Sequence, residues 1–305
     1  MKPMTSNRAE VRDFLVTRRA KITPQQAGLQ FYGGNRRVPG LRREEVAMLA
    51  GVSADYYTRL EKGNLSGVSD SVLEAIAGAL QLDEAERLHL LNLARAANTS
   101  PARATQRRAP QQIRPATQLI LDGMTDTPAF IRNGRLDILA ANTLGQALYS
   151  PAFATPARPV NLARFRFLDP AAREFYPDFS DSAHTTVALL RTEAGRDPFN
   201  KSLTDLIGEL STRSEEFRAL WAAHNVRLHR SGLKHFHHPA IGRIDLMFEA
   251  MALEADEGLT LTAYTAEPGT PSHDALALLA SWAATSLNEA SGESTPVSQG
   301  GSSQP

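Results

Sequence analysis

A chain of 305 residues is too long for one small module, and its 42% hydrophobic content suffices for packed cores in about two domains. It has no cysteine, which excludes disulfides, thiolate nucleophiles and Cys-ligated zinc, and no apolar run approaches the roughly 20 residues of a membrane-spanning helix. The formal net charge of zero conceals a division: residues 1–114 carry 18 Lys+Arg against 11 Asp+Glu (+7) and the other 191 carry 15 against 22 (−7), so a polyanionic partner is expected for the first segment alone.

The opening Met-Lys-Pro-Met-Thr-Ser lacks the apolar stretch of a secretory signal, and a cytoplasmic protein without a membrane partner is expected. Apolar spacing predicts a helix over Arg8–Arg19 that buries Val11, Phe14 and Leu15. Prolines and glycines predict a loop over residues 21–40. Helices follow at Leu41–Ala50, Ser53–Glu61 and Ser69–Leu80, and Asp83 with Glu86 forms a capping box that opens a fifth. Residues 1–96 thus read as a five-helix DNA-binding domain. Residues 97–115, with three prolines, four arginines and almost no large apolar side chain, read as a linker.

The second domain is expected over residues 116–290. Phe130–Leu139 carries a hairpin signal, with Asn133-Gly134 suited to the two positive-φ positions of a tight turn. A helical stretch is predicted from about 143 to 222, with a capping box at Thr212 and Glu215. Strands are predicted at Leu233–His238, Arg243–Leu253 and Leu259–Thr265, and residues 291–305 read as a disordered tail. The fold class is therefore multidomain: an all-α helix-turn-helix domain followed by an α+β domain.

Residues 42–62 carry the sharpest motif. Val46, Leu49 and Ala50 share one helical face, Gly51 supplies a left-handed exit, and Ser53 can cap the next helix. At about 100° per residue, setting Tyr57 at the core places Leu60 and Glu61 beside it. Asp55, Arg59 and Lys62 then face outward, with Tyr56 and Thr58 on the flanks. Such a polar face suits the major groove, and Arg59, four residues after Asp55, can pair with it. The candidate DNA contacts are Ser53, Asp55, Tyr56, Thr58, Arg59, Lys62 and Asn64, with Arg42 and Arg43 placed for backbone phosphates. An acid on the reading face repels phosphate, so Asp55 leaves the preferred bases open.

Residues 41–64, including Leu-Glu-Lys-Gly at 60–63, resemble the Xre/Cro-type helix-turn-helix family, over roughly residues 8–95. Arg36–Leu49 and Tyr56–Leu60 resemble more narrowly the MmyB-like regulators, in which a ligand-binding domain described as PAS-like follows the helix-turn-helix. Phe217–Arg227, His238–Gly242 and Tyr264–Pro271 are similar to stretches of that domain, and Asn142 stands where PAS domains often cap a helix with Asn. The resemblance implies double-stranded DNA as partner, a small-molecule ligand and a homodimer on paired half-sites.

Aromatic residues concentrate after residue 160, and Phe165, Phe217, Trp221, Phe236 and Phe248 are candidates for lining a pocket for a small, largely apolar ligand, although at such spacing they serve equally as core. His224, His229, His235, His237 and His238 fall within 15 residues, but they follow Arg and Lys and lack an adjacent carboxylate before Asp245, so no metal site is assigned. The motifs of hydrolases, P-loop enzymes, dinucleotide-binding folds and zincins are missing. No catalytic residue, no cofactor and no enzymatic activity are therefore expected. The alternative to a ligand sensor is a DNA-binding scaffold whose second domain only dimerises or meets protein partners.

Overall fold

The computed structural model describes residues 7–29, 38, 40–98, 112–226 and 230–292. The first domain comprises α1 (Asn7–Lys21), α2 (Arg43–Leu49), α3 (Ala54–Glu61), α4 (Asp70–Ala79) and α5 (Glu84–Asn98). Val11, Phe14, Leu15, Val46, Tyr57, Leu60, Leu73, Ile76, Leu90 and Leu93 form one buried core, as the helical spacing predicts. Local chemistry fixes the joints. Gly51 takes φ +65°, which lets the chain leave α2 and the Val52 N–H reach the Ala47 carbonyl at 3.0 Å. The Ser53 hydroxyl accepts the Tyr56 N–H at 3.1 Å and opens α3. Asp83 and Glu86 form the expected reciprocal box, at 2.8 and 3.2 Å.

Residues 30–37 and 39 of the expected 21–40 loop, Arg36 and Arg37 among them, lie outside the described residues, as do residues 99–111 of the expected linker and residues 293–305 of the expected tail. Pro115 opens α6 (Pro115–Asp122).

The second domain is built on a six-stranded antiparallel sheet: β1 (Ala129–Asn133), β2 (Asp137–Ala141), β3 (Val160–Asn161), β4 (Ser231–His238), β5 (Gly242–Ala252) and β6 (Leu259–Thr265), in the order β3-β2-β1-β6-β5-β4. The expected helical stretch is divided into α7 (Thr143–Leu148), α8 (Ser150–Phe153), α9 (Leu162–Leu168), α10 (Ala171–Phe175), α11 (Phe179–Arg196), α12 (Lys201–Arg213) and α13 (Glu215–Ala222), with β3 between α8 and α9. Prolines 151, 156, 159, 170, 177 and 198 fall at or beside these breaks, where a missing N–H and a restricted preceding residue oppose helix continuation. Helix α14 (Pro271–Gly292) is the last described element.

Two local expectations are corrected. The hairpin turn places its left-handed residue at Leu136, φ +67°, not at Asn133-Gly134. Asn133 instead shapes the turn through its side chain, accepting the N–H groups of Arg135 (2.9 Å) and Asp137 (3.1 Å) and donating to the Asp137 carboxylate (2.9 Å). The cap of α13 is Ser214, not Thr212. Thr212 still lies in α12 and donates to the Gly208 carbonyl, whereas Ser214 is extended and accepts the Phe217 N–H at 3.1 Å.

Alternation along the strands sorts the layers. Phe130, Phe236, Ile244, Leu246, Phe248 and Tyr264 face inward against α7, α8, α10 and α14. Ala129, Ile131, Leu259, Leu261 and Ala263 face Leu121 of α6 on the other side. Leu190, Leu203, Leu206, Leu210 and Phe217 bind α11, α12 and α13 into a further layer. No helix among the described residues is long and apolar enough to cross a membrane.

Asn142, 5% exposed, ties this domain together. Its Oδ1 accepts the Gly145 and Ala129 N–H groups at 2.7 and 3.0 Å, and its Nδ2 donates to the Met124 and Thr127 carbonyls, both at 2.7 Å. Asn142→Ala strands these groups away from water, and the expected cost is about 3 kcal/mol. A lower urea midpoint of the full chain measures it; an unchanged midpoint contradicts this role.

Candidate nucleic-acid interface and ligand cavity

Helix α3 presents the expected face. Tyr57, Leu60 and Glu61 are buried, while Ser53, Asp55, Arg59, Lys62 and Asn64 are exposed and Tyr56 and Thr58 are half-buried beside them. The anchor below this face is electrostatic. Glu61, 1% exposed, receives the Arg19 guanidinium at 2.7 and 3.2 Å and Arg43 Nε at 2.7 Å. Burial alone would raise its carboxyl pKa; the hydrogen bonds and charges of the two arginines outweigh burial and hold it below the ordinary value. Arg43 is thus engaged from within the protein, although half of its side chain stays exposed at the rim. Arg42 is exposed, its N–H held by the Glu45 carboxylate at 2.6 Å at the start of α2. The expected Asp55–Arg59 pair does not form: the Arg59 guanidinium lies 5.9 Å over the Tyr56 ring.

An open-mouthed cavity of about 850 Å³, solvent at the mouth included, lies between the inner sheet face and α9–α11. Phe130, Tyr149, Tyr176, Phe248 and Tyr264 give it aromatic walls, and Ser182, Thr185, Thr186 and Leu189 of α11 form one side. Three cations converge on it: Arg132 from β1, Arg166 from α9 and Lys234 from β4. Arg166 is 4% exposed, its guanidinium stacks 3.1 Å over the Tyr176 ring, and its Nε and Nη1 have no hydrogen-bond acceptor. Thr262 Oγ1 is likewise buried without a partner. Lys234 Nζ lies 4.6 Å from the Phe248 ring and 3.4 Å from the Tyr264 hydroxyl, which is 2.6 Å from that of Tyr149. Burial, with the charges of Arg132 and Arg166, pushes the Lys234 ammonium down to about 7. Asp178 and Asp181 line the exposed mouth, Asp178 being 3.7 Å from His235.

The sequence-predicted lining is divided by the fold. Phe248 lines the cavity. Phe165 and Phe236 stand behind its wall, packed on Phe175 and Tyr176. Phe217 and Trp221 stack on each other at 5.7 Å outside it, because α13 packs on α11 and not on the sheet. The three cations were missed, although alternation could have found two. Lys234 shares the inward strand face with Phe236, and Arg132 shares it with Phe130.

The histidines disperse. His235 Nδ1 pairs with Asp245 at 2.7 Å. His238 Nε2 donates to the Ala147 carbonyl at 2.9 Å, while its Nδ1 accepts the Ala240 N–H at 3.2 Å. His224 contacts Glu10, His237 is exposed, and His229 lies outside the described residues. Among the described residues no three His, Asp or Glu side chains cluster as metal ligands would.

Comparison with protein families matches each of the two domains. Residues 17–90 match the model of a helix-turn-helix domain, and residues 113–279 match that of the MmyB-like transcription regulator ligand binding domain. A search of curated proteins returns no match. With a helix-turn-helix whose polar face is open and a second domain that encloses a cavity, the chain belongs to the MmyB-like family and is a DNA-binding transcription regulator with a ligand-binding domain.

Proposed function

We propose that this regulator reads duplex DNA with the exposed face of α3 and takes into its cavity a small molecule with an apolar body and an anionic group. The observation that carries the ligand class is the convergence of Arg132, Arg166 and Lys234 on aromatic walls, with two Arg166 nitrogens unsatisfied. Among the described residues none of these three cations forms a salt bridge to a carboxylate: Glu193 acts on Arg132 and Glu216 on Arg166 only from beyond contact distance, and no carboxylate charge acts appreciably on Lys234. Removing an ion from water costs several kcal/mol unless a counter-charge compensates it, and a ligand anion supplies that charge. The aromatic rings then cover its apolar body. This narrows the largely apolar ligand expected from the aromatic residues alone by adding an anionic group. The reading assigns the chain no catalytic step and no cofactor. It places the protein in the cytoplasm as a homodimer on paired half-sites, a reading supported by the resemblance of residues 41–64 to Xre-type regulators.

The fluorescent aromatic sulfonate 1-anilinonaphthalene-8-sulfonate, with neutral N-phenyl-1-naphthylamine as its uncharged relative, tests the ligand class. Arg166→Met should weaken the sulfonate roughly 10–100-fold, the equivalent of a lost charge-assisted hydrogen bond, and leave the neutral probe unaffected. Equal affinity for both probes contradicts an anion site. Lys234 gives this binding a pH dependence. Its ammonium is charged below about 7, and a bound anion favours that form. Sulfonate affinity should therefore fall as pH rises through 7, and Lys234→Met should flatten the profile.

On the DNA side, Arg59→Ala should cost about 1–3 kcal/mol on fragments selected from the source genome, and less on random duplex. Equal losses would make Arg59 a phosphate contact. Arg42→Ala should weaken all duplexes alike and reduce the salt slope by about one.

A further inference from the structure

Helix α11 belongs to both domains. At about 100° per residue, Ser182, Thr185, Thr186 and Leu189, which line the cavity, lie on one side, while Arg191 and Gly195 point to the other. That second side packs directly on α5 of the DNA-binding domain. A Cβ at Gly195 would stand 2.7 and 2.8 Å from His89 Cε1 and Nδ1, so the absence of a side chain is what lets α5 approach. Arg191 has no exposed surface. It pairs with Glu10 of α1, donates to the Trp221 carbonyl, and lies 4.1 Å over the Trp221 ring. Burial would raise the Glu10 carboxyl, but His224 and His89, 3.5 and 3.7 Å from it, and the charge of Arg191 prevail and keep it well below the ordinary value.

The segment after α13 enters the same seam. Arg18, 2% exposed, donates to the His224 carbonyl and pairs with Glu86 at 2.7 Å. Lys21 donates to Asn225 Oδ1 at 2.8 Å, and Val226 is buried in the core of the first domain.

We infer that α11 is the relay between the cavity and the DNA-binding domain, its Arg191–Gly195 face carrying cavity occupancy to α1 and α5. The inference rests on the cavity reading above. Packed interiors transmit displacement and do not absorb it, so a ligand that fixes the Ser182–Leu189 face also fixes the opposite face of the same rigid helix. Coupling of this kind requires that the ligand prefer one arrangement of the seam.

The test uses the full chain and 1-anilinonaphthalene-8-sulfonate. In the wild type, the probe should slow amide exchange not only in α11 but also in α1 and α5, which do not line the cavity. It should also change affinity for genome-selected duplex roughly 5–150-fold. Gly195→Ala forces the His89 ring aside without weakening the helix, and Glu10→Gln removes the carboxylate charge facing Arg191. Both variants should bind the probe within two-fold of wild type and lose its effect on α1, α5 and DNA. Slowed exchange confined to α11 and the strands, or a wild-type response in both variants, overturns the relay while the cavity reading stands. A probe that fails to bind the wild type sinks the cavity reading, and the relay with it.

Discussion

Arg191 is a fully buried cation, and the relation of the two domains depends on how its charge is met. Its partner, Glu10, is 181 residues away in sequence, on the first helix of the DNA-binding domain. Removing one member of a buried pair leaves an uncompensated charge, so an arrangement that parts Arg191 from Glu10 without a substitute is strongly disfavoured. Around this pair the seam is completed by Gly195 against His89, by Arg18 on the His224 carbonyl, and by Val226 in the first domain's core. The recognition face of α3 is not used in these contacts. The domains are thus joined through α1 and α5, leaving Arg59 and Lys62 open to a duplex.

The cavity presents the opposite electrostatic situation. In the seam a buried cation is met by a carboxylate of the same chain; in the cavity Arg166 stacks on Tyr176 and keeps two nitrogens without an acceptor. The same energetic rule governs both, since a charge withdrawn from water must find a counter-charge. One site satisfies it internally and fixes the domains. The other satisfies it with an incoming anion, and α11 is common to both. A ligand that only filled apolar space would gain from the aromatic walls but would leave the three cations as they are.

Much of this was legible in the sequence, and the division follows range. The helices of the first domain could be placed because caps, a left-handed glycine and helical periodicity are local signals: Ser53, Gly51 and the Asp83–Glu86 box all act within a few residues. The exposed face of α3 followed from the same periodicity. The second domain was readable as α+β from its strands, but its helical region hid six prolines whose breaks bring α9 and α11 around the cavity. The aromatic residues suggested a pocket, yet which of them line it depends on tertiary packing, and Phe217 and Trp221 went to another layer. Lys234 and Arg132 were within reach of a strand-alternation argument. The seam was not, since Glu10, His89, Arg191 and His224 belong to four distant segments and form no pattern in any of them.

If the DNA-binding domain and the ligand cavity form one mechanical unit held by the Arg191–Glu10 seam, the distance between them is fixed. Because the chain has no cysteine, spin labels can be attached at single introduced thiols without removing native ones. Labels at the exposed positions of Glu44→Cys in the first domain and His237→Cys on the sheet report the interdomain distance directly. A single narrow distance distribution, broadened by Glu10→Gln, is the predicted result; a broad or many-peaked distribution in the doubly labelled wild-type background would show that the two domains move independently.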